Sequence, residues 1–420
     1  YHSNMRPMSS GDSFGASLIP ISVVLDGTVA LDRFGPWLDQ HPEFAGLSTT
    51  VRDGHRYSSY PAATGVLVSP LYLPLALSSA RSLPPETLIT LARILEKIVA
   101  TGLAALSGVL MLLLLERITT SSMAWSLAWV YALATPVWSI SSQALWQHGP
   151  GQICLLLALL AVAQGMSIKH CVWAGFAAGV AAAIRPSNLL LTVALCIALV
   201  VARASLRAIA ALLLPVITLV GMTALYNLHV AGTVWGFYSV GTLDGSFLQG
   251  LLGLLISPGR GLLWFCPVLL LVVAPPQDKL RTVWLAAAIF AALHLILIAK
   301  WRYWWGGYSW GPRLLSEAVP AAFVLIAMRP RLSRTFWAAA VYSIGIQALG
   351  VYFYPKGHWD NVPVSVDVAS ERLWDWRDNP IRRTASGGFV WEGYAALGAL
   401  VKGGIPAASA RLHDLGLNAY

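Results

Sequence analysis

The sequence is poor in charged residues, and this scarcity identifies its broad class. Only 11% of the 420 residues are Asp, Glu, Lys or Arg, whereas a soluble domain carries about a quarter. The hydrophobic share is 57% and the mean hydropathy is +0.65. A soluble fold is therefore excluded, and the chain is expected to reside in a membrane.

The sequence also lacks the motifs of several protein classes. It contains no P-loop, dinucleotide-binding glycine motif or metal-ligand motif. The energy for any reaction should therefore arrive with the substrate. The basic residues are scattered over loops and form no continuous stripe, which argues against a nucleic-acid partner. No cofactor is predicted, because the isolated Asp12 gives little support for a divalent metal.

The chain has only four cysteines, and their positions exclude two further interpretations. They are Cys154, Cys171, Cys196 and Cys266. All lie in or beside apolar segments and none has a paired spacing, so they predict neither a disulfide framework nor a zinc site.

Long apolar runs recur along the chain and predict an all-α polytopic membrane protein. A helix satisfies its own backbone hydrogen bonds inside hydrocarbon, which makes it the simplest spanning element. About ten transmembrane helices are expected. The predicted spans are 92–115, 121–141, 150–166, 172–185, 187–202, 208–228, 259–274, 283–299, 314–328 and 335–353.

Four regions follow from this pattern. Residues 1–60 are polar and turn-rich and predict a long external loop with juxtamembrane helices. Residues 61–90 are apolar but rich in proline and predict a broken or re-entrant segment. Residues 91–354 form the predicted helical bundle, and residues 355–420 an external tail.

The charges of the short loops predict the orientation. The loops on one side hold nine basic residues, Arg117, Lys169, Arg203, Arg207, Lys279, Arg281, Arg329, Arg331 and Arg334. The same loops hold only two carboxylates, Glu116 and Asp278. By the positive-inside rule this side is cytoplasmic, so the first loop, the loops near 142–149, 229–250 and 300–313, and the tail are external.

The first external loop contains Asp12, within Ser10-Gly11-Asp12-Ser13. A carboxylate here could face the membrane surface and take part in chemistry. The simpler alternative is an N-cap for a helix that begins near Phe14. Local sequence favours the cap, so both interpretations stay open.

A second external loop, 300–313, combines aromatic residues, glycines and three cations. Its aromatic residues are typical of an interfacial belt, but cations retained outside suit a phosphate or pyrophosphate ligand. Arg302 and Arg313 are the better candidates, since a guanidinium matches phosphate oxygens. Arg260, between two glycines, either snorkels to the interface or joins the same anion site.

Two further segments carry polar groups at predicted span ends. Trp146 and His148 could bind or stack on a sugar ring, although a lone histidine is more often structural. Arg185, in Arg185-Pro186-Ser187-Asn188, lies deeper; it is a functional-site hypothesis by default or marks a short external turn.

Taken together, these segments resemble the GT-C superfamily of membrane glycosyltransferases, which includes protein O-mannosyltransferases and aminoarabinose transferases. The resemblance covers residues 1 to about 354. It is carried by Ser10-Gly11-Asp12-Ser13, Tyr60-Pro61, Pro70-Leu71-Tyr72-Leu73-Pro74, Trp146-Gln147-His148-Gly149, Arg185-Pro186-Ser187-Asn188, Ser257-Pro258-Gly259-Arg260-Gly261-Leu262, Trp304-Trp305-Gly306-Gly307 and Gly311-Pro312-Arg313.

The resemblance implies that a sugar moves from a polyprenyl-phosphate donor to a glycan, lipid or protein acceptor at the external face of a bacterial inner membrane. The family's catalytic carboxylate follows the first helix, and Asp12 takes that place if one helix precedes Tyr1, which we expect because the sequence does not begin with Met. Further implied roles are donor-phosphate binding by Arg260, Arg302 and Arg313, and sugar or acceptor binding by Trp146, His148, Tyr303 and Trp304.

Two departures from the family and two rival functions remain. Ser13 follows Asp12 where the O-mannosyltransferases have a second acidic residue, and the tail is too short for a large soluble domain. A transporter or flippase of lipid-linked saccharides would also need external arginines and broken helices. A non-catalytic membrane subunit of a larger complex would keep the same motifs, but its pocket beside Asp12 would be filled.

Overall fold

A computed structural model describes residues 1–6, 10–42, 48–237, 243–272, 280–355 and 358–414. These residues are mostly helical. The α-helices are α1 (Gly11–Asp26), α2 (Gly35–Gln40), α3 (Ala63–Val68), α4 (Leu73–Ala76), α5 (Pro85–Leu115), α6 (Ser121–Leu133), α7 (His148–Ala163), α8 (Ile168–Ile184), α9 (Leu189–Val201), α10 (Leu206–Ala231), α11 (Phe247–Ile256), α12 (Leu262–Phe265), α13 (Arg281–Lys300), α14 (Val319–Ala327), α15 (Arg334–Tyr352), α16 (His358–Asn361), α17 (Pro380–Ser386) and α18 (Glu392–Asp414).

Shorter elements connect these helices. The 3₁₀ helices span Asp32–Phe34, Ser69–Tyr72, Ser79–Ser82, Pro186–Asn188, Pro267–Leu270, Arg313–Ala318 and Ser370–Trp374, and a π-helical turn spans Val137–Ser141. Strands β1 (Thr49–Arg52) and β2 (His55–Ser58) form an antiparallel hairpin. Its two turn residues, Asp53 and Gly54, both have positive φ, as a tight hairpin turn of this length requires.

Four helices, α5, α10, α13 and α15, are long and apolar enough to cross a membrane. Five shorter apolar helical segments accompany them in the described parts of the chain, at Ala63–Ala76, His148–Ala163, Ile168–Ile184, Pro186–Val201 and Phe247–Ile256. The chain is therefore a helical multi-pass membrane protein. The number of ten crossings and the assignment of sides stay predictions.

Helices α8 and α10 pack closely because of two glycines in the sequence Gly175-Phe-Ala-Ala-Gly179. A Cβ at Gly175 would lie 2.0 Å from the carbonyl oxygen of Leu212 on α10. A Cβ at Gly179 would lie 3.1 Å from the Cα of Val216. Small residues four apart let two backbones approach in this way in membrane bundles.

The prediction of one continuous span over 259–274 is wrong for the residues that the structure describes. This stretch contains only the four-residue α12 and the 3₁₀ helix Pro267–Leu270. Pro267 lacks the N–H that would continue an α-helix, and Cys266 before it has non-helical dihedral angles. A helix is found at α11 instead, although residues 247–250 were predicted to form part of a loop. The Ser246 side chain caps this helix by accepting a hydrogen bond from the N–H of Gln249.

Other predicted boundaries shift where proline starts or interrupts a helix. The segment 61–90 contains α3 and α4, which are separated by the 3₁₀ helix Ser69–Tyr72; its re-entrant placement in the membrane stays a prediction. Helix α5 begins at Pro85 rather than at 92, because proline fits the first position of a helix. The predicted span 121–141 changes from α-helix to a π-helical turn after Pro136.

The terminal regions pack onto the helical body. Helix α1 is largely buried, and its apolar side chains form one core with α2 and with the first half of α5. At the other end, Trp359 and Asp360 are buried, and the N–H of Gly259 donates to the carbonyl of Leu373 at 3.1 Å. Distant parts of the chain therefore meet on the side that holds the functional site.

Candidate functional site

One polar cavity of about 440 Å³ gathers residues that are far apart in the sequence, from Asp12 to Leu314. Its walls come from the start of α1, the end of the hairpin, the start of α7 and the loop that follows α13. The lining residues are Asp12, Ser59, Tyr60, Trp146, Gln147, His148, Arg185, Phe237, Trp301, Tyr303, Gly306, Gly307, Arg313 and Leu314. The volume suits a small polar ligand such as a sugar phosphate.

Asp12 lies in the first turn of α1, but it is not the cap of that helix. The N-cap is Ser10, whose backbone N–H donates to the Ser13 hydroxyl at 3.0 Å. The Asp12 carboxylate instead accepts a hydrogen bond from the Tyr60 hydroxyl at 2.9 Å and pairs with Arg313 Nη1 at 2.5 Å. Its side chain keeps 35% of its surface exposed, so this carboxylate opens into the cavity.

Arg313 is fixed by three contacts beside Asp12. Its Nε and Nη2 donate to the carbonyl of Gly306 at 3.1 and 2.8 Å. Its guanidinium carbon lies 4.7 Å from the centre of the Trp146 ring, in cation–π range. Gly306 and Gly307 both have positive φ, a conformation that glycine adopts without strain. The glycine pair thus shapes the turn whose carbonyl orients Arg313.

A second charged group lies deeper, around Glu317. This carboxylate is buried, and its Oε1 accepts from Arg185 Nη1 at 2.6 Å and lies 2.9 Å from His148 Nδ1. Arg185 and His148 line the cavity, whereas Glu317 stands behind them. Behind the cavity, the protonated Nε2 of His294 donates a hydrogen bond to the carbonyl oxygen of Leu314 at 2.9 Å.

Three predicted site residues fall outside the cavity wall. Arg260 is fully buried and pairs with Asp360; its Nη2 donates to the carbonyl of Gly307 at 2.9 Å. Trp304 is buried against α11, where a Cβ at Gly253 would lie 2.3 Å from its ring.

Arg302, the third of these residues, forms an exposed ion pair with Asp244. The hydrogen bond from Arg302 lowers the pKa of the Asp244 carboxyl, as expected for a carboxylate beside a cation. The phosphate-binding roles predicted for Arg260 and Arg302 therefore gain no support from their positions.

The other five predicted residues share the cavity: Asp12, Trp146, His148, Tyr303 and Arg313. Sequence reasoning missed Glu317 and gave Arg185 no definite role. A signal for Glu317 did exist, since it is the one charged residue of the predicted span 314–328. Among the described residues, no three His, Cys, Asp or Glu side chains are grouped so as to hold a metal ion.

No protein-family model matches the chain, and no curated protein sequence matches it. In three dimensions it is similar to ArnT from Cupriavidus metallidurans, whose crystal structure is in the apo state, with a TM-score of 0.53 and 14% sequence identity. The likeness covers 99% of this chain and 72% of that one. ArnT is an aminoarabinose transferase of the GT-C class. The resemblance stated from the sequence is thus confirmed for the fold alone, which this chain shares with ArnT.

Proposed function

We propose that this chain transfers a sugar from a polyprenyl-phosphate donor to an acceptor hydroxyl, with inversion at the anomeric carbon. The observation that carries the proposal is the pairing of Asp12 with Arg313 at the mouth of one polar cavity. A carboxylate can accept the proton of the acceptor, and a guanidinium can bind the departing phosphate. The GT-C fold supports the same reaction class.

Asp12 acts as the general base. Each carboxylate oxygen has two acceptor positions, so Asp12 can hold its hydrogen bonds to Tyr60 and Arg313 and still accept from a substrate. The acceptor hydroxyl gives its proton to Asp12 while its oxygen forms a bond to the anomeric carbon. The bond from that carbon to the phosphate oxygen breaks, and the electron pair leaves with the phosphate. Such general-base assistance contributes about 10²–10⁴-fold to a rate.

Arg313 stabilises the charge that develops on the leaving phosphate. Its contacts with Gly306 and Asp12 hold the guanidinium in place before the substrate arrives, which is the property that makes electrostatic stabilisation effective. The rings of Trp146 and Tyr303 line the same cavity and can pack against the sugar. His148 provides a further polar contact for the sugar or the acceptor.

The cellular setting follows from the charge distribution. Positively charged short loops favour a cytoplasmic side opposite the cavity, so the reaction takes place at the external face of the membrane. The resemblance to GT-C enzymes implies that this is the periplasmic face of a bacterial inner membrane. The donor enters from the lipid and the acceptor is a glycan, a lipid or a protein. The open cavity beside Asp12 favours an enzyme over a non-catalytic subunit, in which this space would be filled.

The proposal is tested with the purified full chain in nanodiscs. A panel of polyprenyl-phosphate sugars labelled in the sugar is offered together with a mixed acceptor fraction, and sugar release is measured. Wild type should release one donor's sugar, and the anomeric configuration of the product should be inverted. Asp12→Asn should lower the transfer rate about 10²–10⁴-fold. Asp244→Asn is the matched control, because it changes an aspartate in another arginine pair outside the cavity, and it should keep full activity.

Two outcomes would contradict the proposal. One is near-wild-type transfer by Asp12→Asn. The other is the absence of release from every donor by folded wild-type protein, which would favour the transporter or subunit alternatives.

A further inference from the structure

Arg185 occupies the junction between the polar cavity and an apolar groove. The groove has a volume of about 260 Å³ and runs between α9 and α13. It shares two lining residues with the cavity, Arg185 and Trp301. Its other lining residues are Pro186, Ser187, Leu189, Leu190, Val193, Leu243, Leu297 and Ile298. A cation at the head of an apolar groove complements a molecule with an anionic head and a hydrocarbon tail.

The arginine is held there by a buried carboxylate. The side chains of Arg185 and Glu317 are only 7% and 1% exposed, and Arg185 Nη1 donates to Glu317 Oε1 at 2.6 Å. His148 Nδ1 lies 2.9 Å from the same oxygen. Buried ion pairs contribute little net stability because their desolvation is costly. What the pair does fix is the position of the Arg185 guanidinium at the cavity wall, through the hydrogen bond to Glu317.

Local backbone structure supports the negative charge of Glu317. A Cβ at Gly151, in the first turn of α7, would lie 3.5 Å from Glu317 Cγ, so the carboxylate stands beside the positive end of that helix. Glu317 comes from the 3₁₀ helix Arg313–Ala318, which also carries Arg313. One short element therefore holds both cavity arginines, one directly and one through Glu317.

We propose that Arg185 binds the phosphate of the lipid donor where the cavity meets the groove, and that Glu317 is the positioning residue for Arg185 and His148. The isoprenoid tail then lies in the groove along α9 and α13, and Arg313 faces the same phosphate from the Asp12 side. This inference rests on the proposed function, because that function supplies the phosphate and the lipid.

The test uses two probes that differ only in the phosphate. Binding of farnesyl phosphate and of farnesol to the purified full chain is measured in detergent. Wild type should prefer farnesyl phosphate by about 10- to 100-fold, the effect of a hydrogen bond to a charged group. Arg185→Gln should remove most of this preference and leave farnesol affinity unchanged. Arg185→Lys should keep only part of it, because an ammonium cannot form the two-pronged contact.

Glu317→Gln separates positioning from a merely structural role. It should lower the preference for farnesyl phosphate about tenfold in protein that still binds farnesol with wild-type affinity. A structural role alone would lower the melting temperature and leave the preference intact. Arg302→Gln is the control variant, since Arg302 is paired with Asp244 outside the cavity. Its preference for farnesyl phosphate over farnesol should match that of wild type.

Two results would overturn the inference: wild-type protein with equal affinity for both probes, or either Arg185 variant with the full wild-type preference. Neither result is confused with failure of the proposed function, because farnesyl phosphate carries no sugar. Phosphate preference that depends on Arg185, without any sugar transfer by wild type, would contradict the proposed function alone.

Discussion

Two arginines in similar sequence settings differ in how far they and their aspartate partners are buried. Arg260 and Arg313 each follow a glycine-containing turn near an apolar segment, and each pairs with an aspartate far away in sequence. Arg260 is 0% exposed and its partner Asp360 is covered as well. Arg313 faces the cavity, and Asp12 keeps a third of its surface open. The comparison separates an arginine that joins parts of the fold from one that is available to a ligand.

The burial of Arg260 is caused by the C-terminal segment that contains Trp359 and Asp360. This segment brings Asp360 onto Arg260, and Tyr354 donates a hydrogen bond to the second oxygen of the same carboxylate. The Trp359 ring then lies 5.4 Å from the Arg260 guanidinium. Arg313 also has a ring beside it, that of Trp146 at 4.7 Å, but it lines the cavity and its partner Asp12 keeps 35% of its side-chain surface exposed. An arginine's role here depends on what packs over it more than on its local motif.

The largest stability effect is expected when the covered pair is broken. Asp360→Asn leaves the buried charge of Arg260 without compensation, which costs about 3–5 kcal/mol. The melting temperature in detergent should fall clearly, and residual transfer should follow the amount of folded protein. An unchanged melting temperature would show that this pair does not hold the C-terminal segment.

The next effect in size is expected at the cavity arginine. Arg313→Ala removes a charged hydrogen-bond donor, and donor affinity should fall by about 1.5–3 kcal/mol, measured as a raised Kd for the lipid-linked donor. The melting temperature should change much less than in Asp360→Asn. Unchanged donor affinity would place the phosphate elsewhere.

The smallest effect is expected at the exposed pair of Arg302 and Asp244. Solvent screens this pair, and it lies outside the cavity wall. Arg302→Gln should therefore leave both the melting temperature and the transfer rate at wild-type values. A marked loss of transfer would restore the phosphate-binding role predicted for Arg302.

The fold was predictable where hydropathy and proline decide it. The apolar runs predict a helical membrane protein, and Pro70 lies in the 3₁₀ helix that separates α3 from α4. The prediction of a continuous span over 259–274 was wrong. The composition of this stretch is that of a span, but Pro267 and the close packing of its glycines interrupt the helix. A Cβ at Gly261, for example, would lie 2.6 Å from the N of Ser257. Hydropathy does not register such contacts.

The site was predictable in part for a related reason. Asp12, Trp146 and Arg313 stand in short polar segments that interrupt apolar sequence, and such segments are conspicuous. Glu317 stands inside an apolar run, and its partners lie 169 and 132 residues earlier in the chain. The burial of Arg260 likewise depends on a residue 100 positions away. Only the folded structure brings these groups together.

The central claim is that the carboxylate at the open cavity serves chemistry while the covered one serves stability. Its most direct test is the transfer rate and melting temperature of Asp12→Asn, measured beside Asp360→Asn. We expect Asp12→Asn to lose about 10²–10⁴-fold in rate at a melting temperature near that of wild type. A near-wild-type rate in Asp12→Asn would contradict the claim.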